Sequence, residues 1–223
     1  MGPFSQQSYV DTFLEELGKM GFSYFTNPYE GVPARRKVVF GNNSGLLIAS
    51  KLPIVSSKAE IFKEGRETLN FKGFLRATVE LKGGEEVHFL TCHLNSRKKP
   101  NLRKQQLKQL YGEVERLKEE DLRARKTSGF VIAGDWNICS KGVKENDNGR
   151  EYNELTSLFH PLIDIFDHAD YQNKYTYLED QSFRDHCFLS PHYDVSHHHL
   201  VDWRTKDDFP CSDHLGLSLT LTF

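Results

Sequence analysis

The sequence predicts an α/β protein in which antiparallel or mixed sheets carry helices on their outer faces. Three observations carry that expectation. Hairpin signals come early, at Gly41-Asn42-Asn43 and Lys82-Gly83-Gly84-Glu85. Helical stripes are interspersed among the strand-like runs. The chain closes on Leu215, Leu217, Leu219, Leu221 and Phe223 alternating with Gly, Ser and Thr, which reads as a strand with one buried face. With 223 residues and 38% hydrophobic content, one domain over residues 1–223 is expected. A net charge of -2 gives no global field for nucleic acid or an anionic membrane, so either partner would need a local patch. No apolar run approaches the roughly 18 to 20 residues that a membrane span needs.

In chain order, Val10, Phe13, Leu14, Leu17 and Met20 fall at helical spacing from Ser5 onward, and Gly21 supplies a stop. Strand-like runs follow at Lys37–Phe40 and Ser44–Ser50, then at Phe74–Leu81 and Glu86–Leu94. A helix is expected from Asn101 to Glu120, with Leu107, Leu110, Val114 and Leu117 on one stripe. The apolar run Phe130-Val131-Ile132-Ala133 reads as a buried strand, and a short helix covers Tyr152–Phe159. Extended segments are expected at Tyr175–Leu178 and Phe183–Leu189, separated from the last strand by a His- and aromatic-rich loop, Pro191–Pro210. The three adjacent histidines in that loop cannot all face one ion. Cys92, Cys139, Cys187 and Cys211 show no C-x-x-C spacing and read as free thiols of a reducing compartment. The glycine-rich loops of nucleotide binders are absent.

Polar clusters stand at the ends of four apolar runs. Gly134-Asp135-Trp136-Asn137 ends one strand; taken alone it also reads as a polar turn. Thr91-Cys92-His93-Leu94-Asn95 ends another, Asp185 lies within a third, and Ser212-Asp213-His214 opens the last. Together these residue types suit metal-assisted hydrolysis of a phosphoester. Carboxylates and amides bind a hard cation, an imidazole takes a proton from the attacking water, and fixed donors offset charge on the phosphoryl oxygens. Arg97, Lys98, Lys99, Arg103, Lys104 and Lys108 follow His93 directly and are expected to line one rim of the cleft.

These motifs, with Ser44-Gly45-Leu46-Leu47-Ile48-Ala49-Ser50-Lys51-Leu52-Pro53-Ile54, resemble the endonuclease/exonuclease/phosphatase superfamily over residues 5–223. Lys72-Gly73-Phe74 followed by Thr91-Cys92-His93-Leu94 is similar to the Mg²⁺-dependent neutral sphingomyelinases. The resemblance implies a DNase I-like four-layer sandwich, with two mixed or antiparallel sheets face to face and helices outside. It implies His214 as general base, Asp185 as the carboxylate supporting it, Asp135 positioning water or metal, Asn137 donating to phosphate and His93 stabilising the transition state. Asp213 and Asp135 would hold Mg²⁺ (or Mn²⁺), and Lys72, Asn95 and Arg97 would bind substrate. Lys72 is similar to the lysine of a regulatory Asp/Lys pair, but the acid five residues before it is here Glu67.

The family begins with a strand and a Gln-Glu pair whose Glu is the main metal ligand. No such segment precedes the first helix here, so the expectation is an N-terminally truncated domain that lacks the first strand and hydrolyses phosphodiesters more slowly than an extended version. The favoured reading is a monomeric phosphodiesterase, cytoplasmic or peripheral to a membrane with secretion left open, that releases the phosphorylated headgroup of sphingomyelin or a related phospholipid. The alternatives are a nuclease or a phosphoinositide or nucleotide phosphatase, and an inactive binding module.

Overall fold

The computed structural model describes residues 6–26, 45–64, 72–96, 99–126, 128–140, 149–167 and 174–222. Its elements are α1 (Gln6–Lys19), β1 (Tyr24–Phe25), β2 (Ala49–Ser50), β3 (Ile54–Ile61), β4 (Gly73–Glu80), β5 (Glu86–His93), α2 (Pro100–Ala124), β6 (Gly129–Asp135), α3 (Arg150–Phe159), β7 (Ile163–Asp164), β8 (Asp185–Leu189), β9 (Asp194–Val201) and β10 (Gly216–Thr222). Among the described residues these make a six-stranded sheet in the order β3-β4-β5-β6-β8-β7 and two-stranded pairs β10-β9 and β1-β2. The large sheet is mixed: β5 and β6 run parallel, joined through α2, and its other pairs are antiparallel.

The β4–β5 hairpin runs in register from Gly73↔His93 to Glu80↔Glu86 and turns through Gly83 and Gly84, whose φ values of 117° and 86° suit only glycine. Helix α2 starts on Pro100, which brings a pre-set φ and needs no hydrogen bond there, and it ends at Arg125 in a left-handed conformation. Along the central strands, side chains alternate between two cores. Leu90, Cys92, Phe130, Ile132 and Phe188 pack with Leu107, Leu110, Val114, Leu117, Leu155 and Phe159 of the helices. Val87, Phe89, Val131, Ala133, Cys187 and Leu189 face Val195, Leu200, Leu217, Leu219 and Leu221 of the β9–β10 pair. Both faces of β6 are covered, which is why Phe130–Ala133 reads as one unbroken apolar run.

Helices over a mixed sheet over a second sheet give the α/β sandwich. By the same alternation His93, Asp135 and Asp185 belong to the face between the two sheets, at the strand ends where β10 begins. The structure departs from the sequence expectations in several places. Residues 191–210 do not form a simple loop: they contain β9, whose histidines alternate as strand residues do, with His198 edge-on to Phe166 at 5.7 Å. β3 was not anticipated, because its polar centre Ser56-Ser57-Lys58 hides the pattern. Residues 175–178 contribute only isolated bridges, from Tyr177 to Ser182 and to His214. The hairpin at Gly41-Asn42-Asn43 lies outside the described residues. All four cysteines are free thiols, three buried and Cys211 exposed.

Candidate active site

At that end of the sandwich, Lys72, His93, Ser96, Asp135, Asn137, Tyr177, Arg184, Asp185, Asp213 and His214 line a cleft of about 360 Å³. His214 enters it because the backbone on either side is tied down: its N–H donates to Ser212 Oγ and Leu215 N–H donates to the Thr176 carbonyl. Its Nδ1 lies 2.7 Å from Asp185 Oδ2. The carboxylate accepts, so Nδ1 carries the proton and Nε2 keeps its lone pair for the cleft, 4.0 Å from Asp135 Oδ2. The Asp185 hydrogen bond raises the His214 pKa above the ordinary imidazole value; burial opposes this, and the charges of Asp185, Asp135 and Asp213 add to it.

Asp135 ends β6 opposite Asp185 in the sheet register. On the other side of β6, Gly134 lets the strand lie close against β5, since a Cβ there would sit 2.3 Å from the Cys92 carbonyl oxygen. After Asp135 the chain turns through Asn137, whose φ of 50° is left-handed. Asn137 N–H donates to Asp135 Oδ1, and its side-chain amide donates to Asp135 Oδ2 and to the Leu94 carbonyl. Burial pushes the Asp135 carboxyl up, but the His93 contact, the charges of His93 and His214 and the Asn137 N–H together hold it below its ordinary value. His93 Nε2 lies 3.1 Å from Asp135 Oδ2 and also meets Lys72 Nζ.

The structure thus brings together Lys72, His93, Asp135, Asn137, Asp185, Asp213 and His214. Three expectations about neighbouring residues change. Asn137 was expected to donate to phosphate, but both its amide hydrogens are taken by protein oxygens, so it holds Asp135 in place. Asn95 was expected to touch substrate; it is fully buried and does not line the cleft, with its amide oxygen accepting from Gln106. Two members of the basic cluster do not line the rim as expected: Arg103 is buried in a two-pronged pair with Glu151, and Lys104 is paired with Glu154. Arg97 and Lys98 lie outside the described residues. Sequence reasoning passed over Tyr177 and Arg184. The guanidinium stacks 4.6 Å over the Tyr177 ring and is held by Ser182 and Asp180, while that ring lies 4.9 Å from His214. A signal for them was there, since Arg184 directly precedes Asp185.

No family model matches the sequence, and no curated protein does. Solved structures do match. An endonuclease/exonuclease/phosphatase from Beutenbergia cavernae aligns at a TM-score of 0.67 and 20% identity, over 95% of this chain and 56% of its own. The chain thus spans little more than half of that protein. The chain has the DNase I-like fold of the endonuclease/exonuclease/phosphatase proteins. Sphingomyelinase C from Streptomyces griseocarneus shares it at a TM-score of 0.61 and 15% identity, over 94% of this chain and 81% of the other. So does D. rerio TDP2, in complex with a single-strand DNA product, at 0.62 and 19%, over 95% and 82%. Identities this low are a likeness of fold.

In this DNase I-like sandwich a larger hollow, about 660 Å³, opens between α2 and α3 on the outer helical face, lined by Leu107, Lys108 and Leu158 among others. Among the described residues its lining includes no imidazole, so the smaller cleft is the candidate site. Asp135 is turned to Asn137 and His93, Asp185 is turned to His214, and Asp213 is exposed at the lip. Among the described residues no group of three or more His, Cys, Asp or Glu is placed to share one ion. They do not complete a metal site.

Proposed function

We propose that this chain hydrolyses a phosphodiester at a membrane surface, releasing the phosphorylated headgroup of sphingomyelin or a related phospholipid. The observation that carries the chemistry is the His214–Asp185 pair, with Nε2 free to face the cleft. Asp185 fixes the tautomer and orientation, and Nε2 takes a proton from a water that attacks phosphorus while the P–O bond to the lipid alcohol breaks and the departing oxygen takes a proton from solvent. Lys72 and Arg184 supply positive charge along the wall where negative charge grows on the phosphoryl oxygens, with His93 beside Lys72. Asp135, held by Asn137, lies 4.0 Å from Nε2, where a water can bond both. Apart from that solvent proton, each of these steps is carried by the chain's own groups; the Mg²⁺ that the resemblance implies would need ligands beyond the described residues.

The membrane reading is supported by the excursion just upstream of His214. Residues 203–211 form a small hairpin bridged at Arg204↔Pro210 and closed by Cys211 N–H to the Trp203 carbonyl, and it exposes Trp203 by 69% and Phe209 by 68%. Two large aromatics standing in water on the chain just before His214 suit insertion among lipid headgroups. The fold shared with sphingomyelinase C is in keeping with it. Choline phosphate release from sphingomyelin vesicles, run beside cleavage of single-stranded DNA, tests the substrate. Release without DNA cleavage is expected; DNA cleavage with intact lipid would replace this reading by a nuclease.

A further inference from the structure

His186 lies on the opposite face of β8 from Asp185, fully buried and outside the cleft. Tyr152, Phe183 and Phe188 surround its ring, with centroids 5.0, 5.7 and 6.5 Å away. Its Nδ1 is 2.9 Å from Asp164 Oδ2 and its Nε2 is 2.9 Å from the Ile138 carbonyl oxygen. Its own carbonyl accepts from Trp136 Nε1 at 3.0 Å. His186 therefore grips the residues on both sides of Asn137, the left-handed residue whose amide holds Asp135.

We propose that His186 is a positioning residue, a doubly protonated clamp that holds the Trp136–Ile138 turn from behind and so fixes Asp135 and Asn137 in the cleft. A carbonyl oxygen cannot donate, so Nε2 must carry a hydrogen to bond Ile138. At Nδ1 the partner is a carboxylate that already accepts from Tyr152 Oη at 2.8 Å and, on its other oxygen, from Phe166 N–H at 3.2 Å. Those donors favour the ionised carboxylate, so the second hydrogen also belongs to the imidazole. Burial opposes both charges, yet the Asp164 carboxyl is held below its ordinary value and His186 above its own, each by the other. The other ionisable groups facing the pair are Tyr152 on α3, Asp185 and Cys187 on β8, and Asp167 beyond Tyr152.

Stability does not explain this arrangement, because a buried ion pair does about as well as apolar side chains of similar volume. Geometry does. An apolar side chain at 186 would leave the Ile138 carbonyl buried without its donor and would release one side of a turn that sits in an unfavourable backbone region.

The inference rests on reading Asp135 and Asn137 as site residues, so the experiment reads their geometry and not turnover. In the unaltered protein, ¹⁵N NMR near neutral pH is expected to show hydrogens on both His186 ring nitrogens and two separate, slowly exchanging Asn137 side-chain amide protons. In His186→Leu those protons are expected to exchange at least about tenfold faster as the turn opens locally. In Tyr152→Phe, which weakens the same buried network without touching the turn, they stay unchanged while the melting temperature falls. A bare Nε2 in the unaltered protein overturns the clamp, and that measurement stands if His186→Leu does not fold. Unchanged Asn137 signals in folded His186→Leu, or equal loss in both variants, also overturn it.

Discussion

One hydrogen bond of 2.7 Å, from His214 to Asp185, sets what His214 can do. Asp185→Asn should lower kcat by about two to four orders of magnitude, the usual contribution of an oriented general base, while the fold persists. The base form of His214 is the neutral ring, so the rate rises with pH through its raised pKa. Losing Asp185 should move that acidic limb toward lower pH, because the main cause of the raised value has gone. A pH–rate profile that does not move would show that another group titrates. The sign for stability is the reverse. A histidine whose folded pKa is raised stabilises fully below its ordinary value and loses that contribution as pH climbs through the raised one. Thermal melts should therefore show the difference between the two proteins shrinking on the alkaline side.

Between elements, the buried Arg103–Glu151 pair joins α2 to α3 with contacts of 2.6 and 2.7 Å, Arg103 being only 4% exposed. Glu151→Ala leaves that guanidinium buried without its carboxylate and should cost about 3–5 kcal/mol in urea unfolding. Lys104→Ala breaks a solvated pair between the same helices and should cost under about 1 kcal/mol. Equal losses would mean that helix packing and not the pair dominates. Gly134→Ala, which forces a Cβ onto the Cys92 carbonyl oxygen, should cost about 1–3 kcal/mol. The sequence made α2, β4, β5, β6 and β10 legible, because each carries an apolar pattern of a single period. β9 was hidden by a run of histidines that carries no apolar alternation, and β3 by its polar centre. Arg103 looked like a rim cation because its partner lies 48 residues further on and only folding brings them together. At the cleft, His93, Asp135, Asp185 and His214 were readable as polar groups ending apolar runs. His186 was not readable, since a histidine within a strand does not announce which acceptors it will meet.

Over the whole molecule, the cleft lies at one end of the sandwich and the Trp203/Phe209 hairpin stands beside it in sequence. A Trp203→Ala/Phe209→Ala double variant should bind sphingomyelin vesicles about tenfold or more weaker in sedimentation, given the apolar area that two aromatics bury. Its melting temperature should be unchanged, because both side chains are already in water. Unchanged vesicle binding would remove the hairpin from the membrane reading. The most direct measurement is choline phosphate release from sphingomyelin vesicles in Mg²⁺ buffer by the unaltered chain and by His214→Ala. Release by the first, reduced at least about a hundredfold in the second, is the expected result. Equal release from both, or none from either, would contradict a phosphodiesterase built on His214.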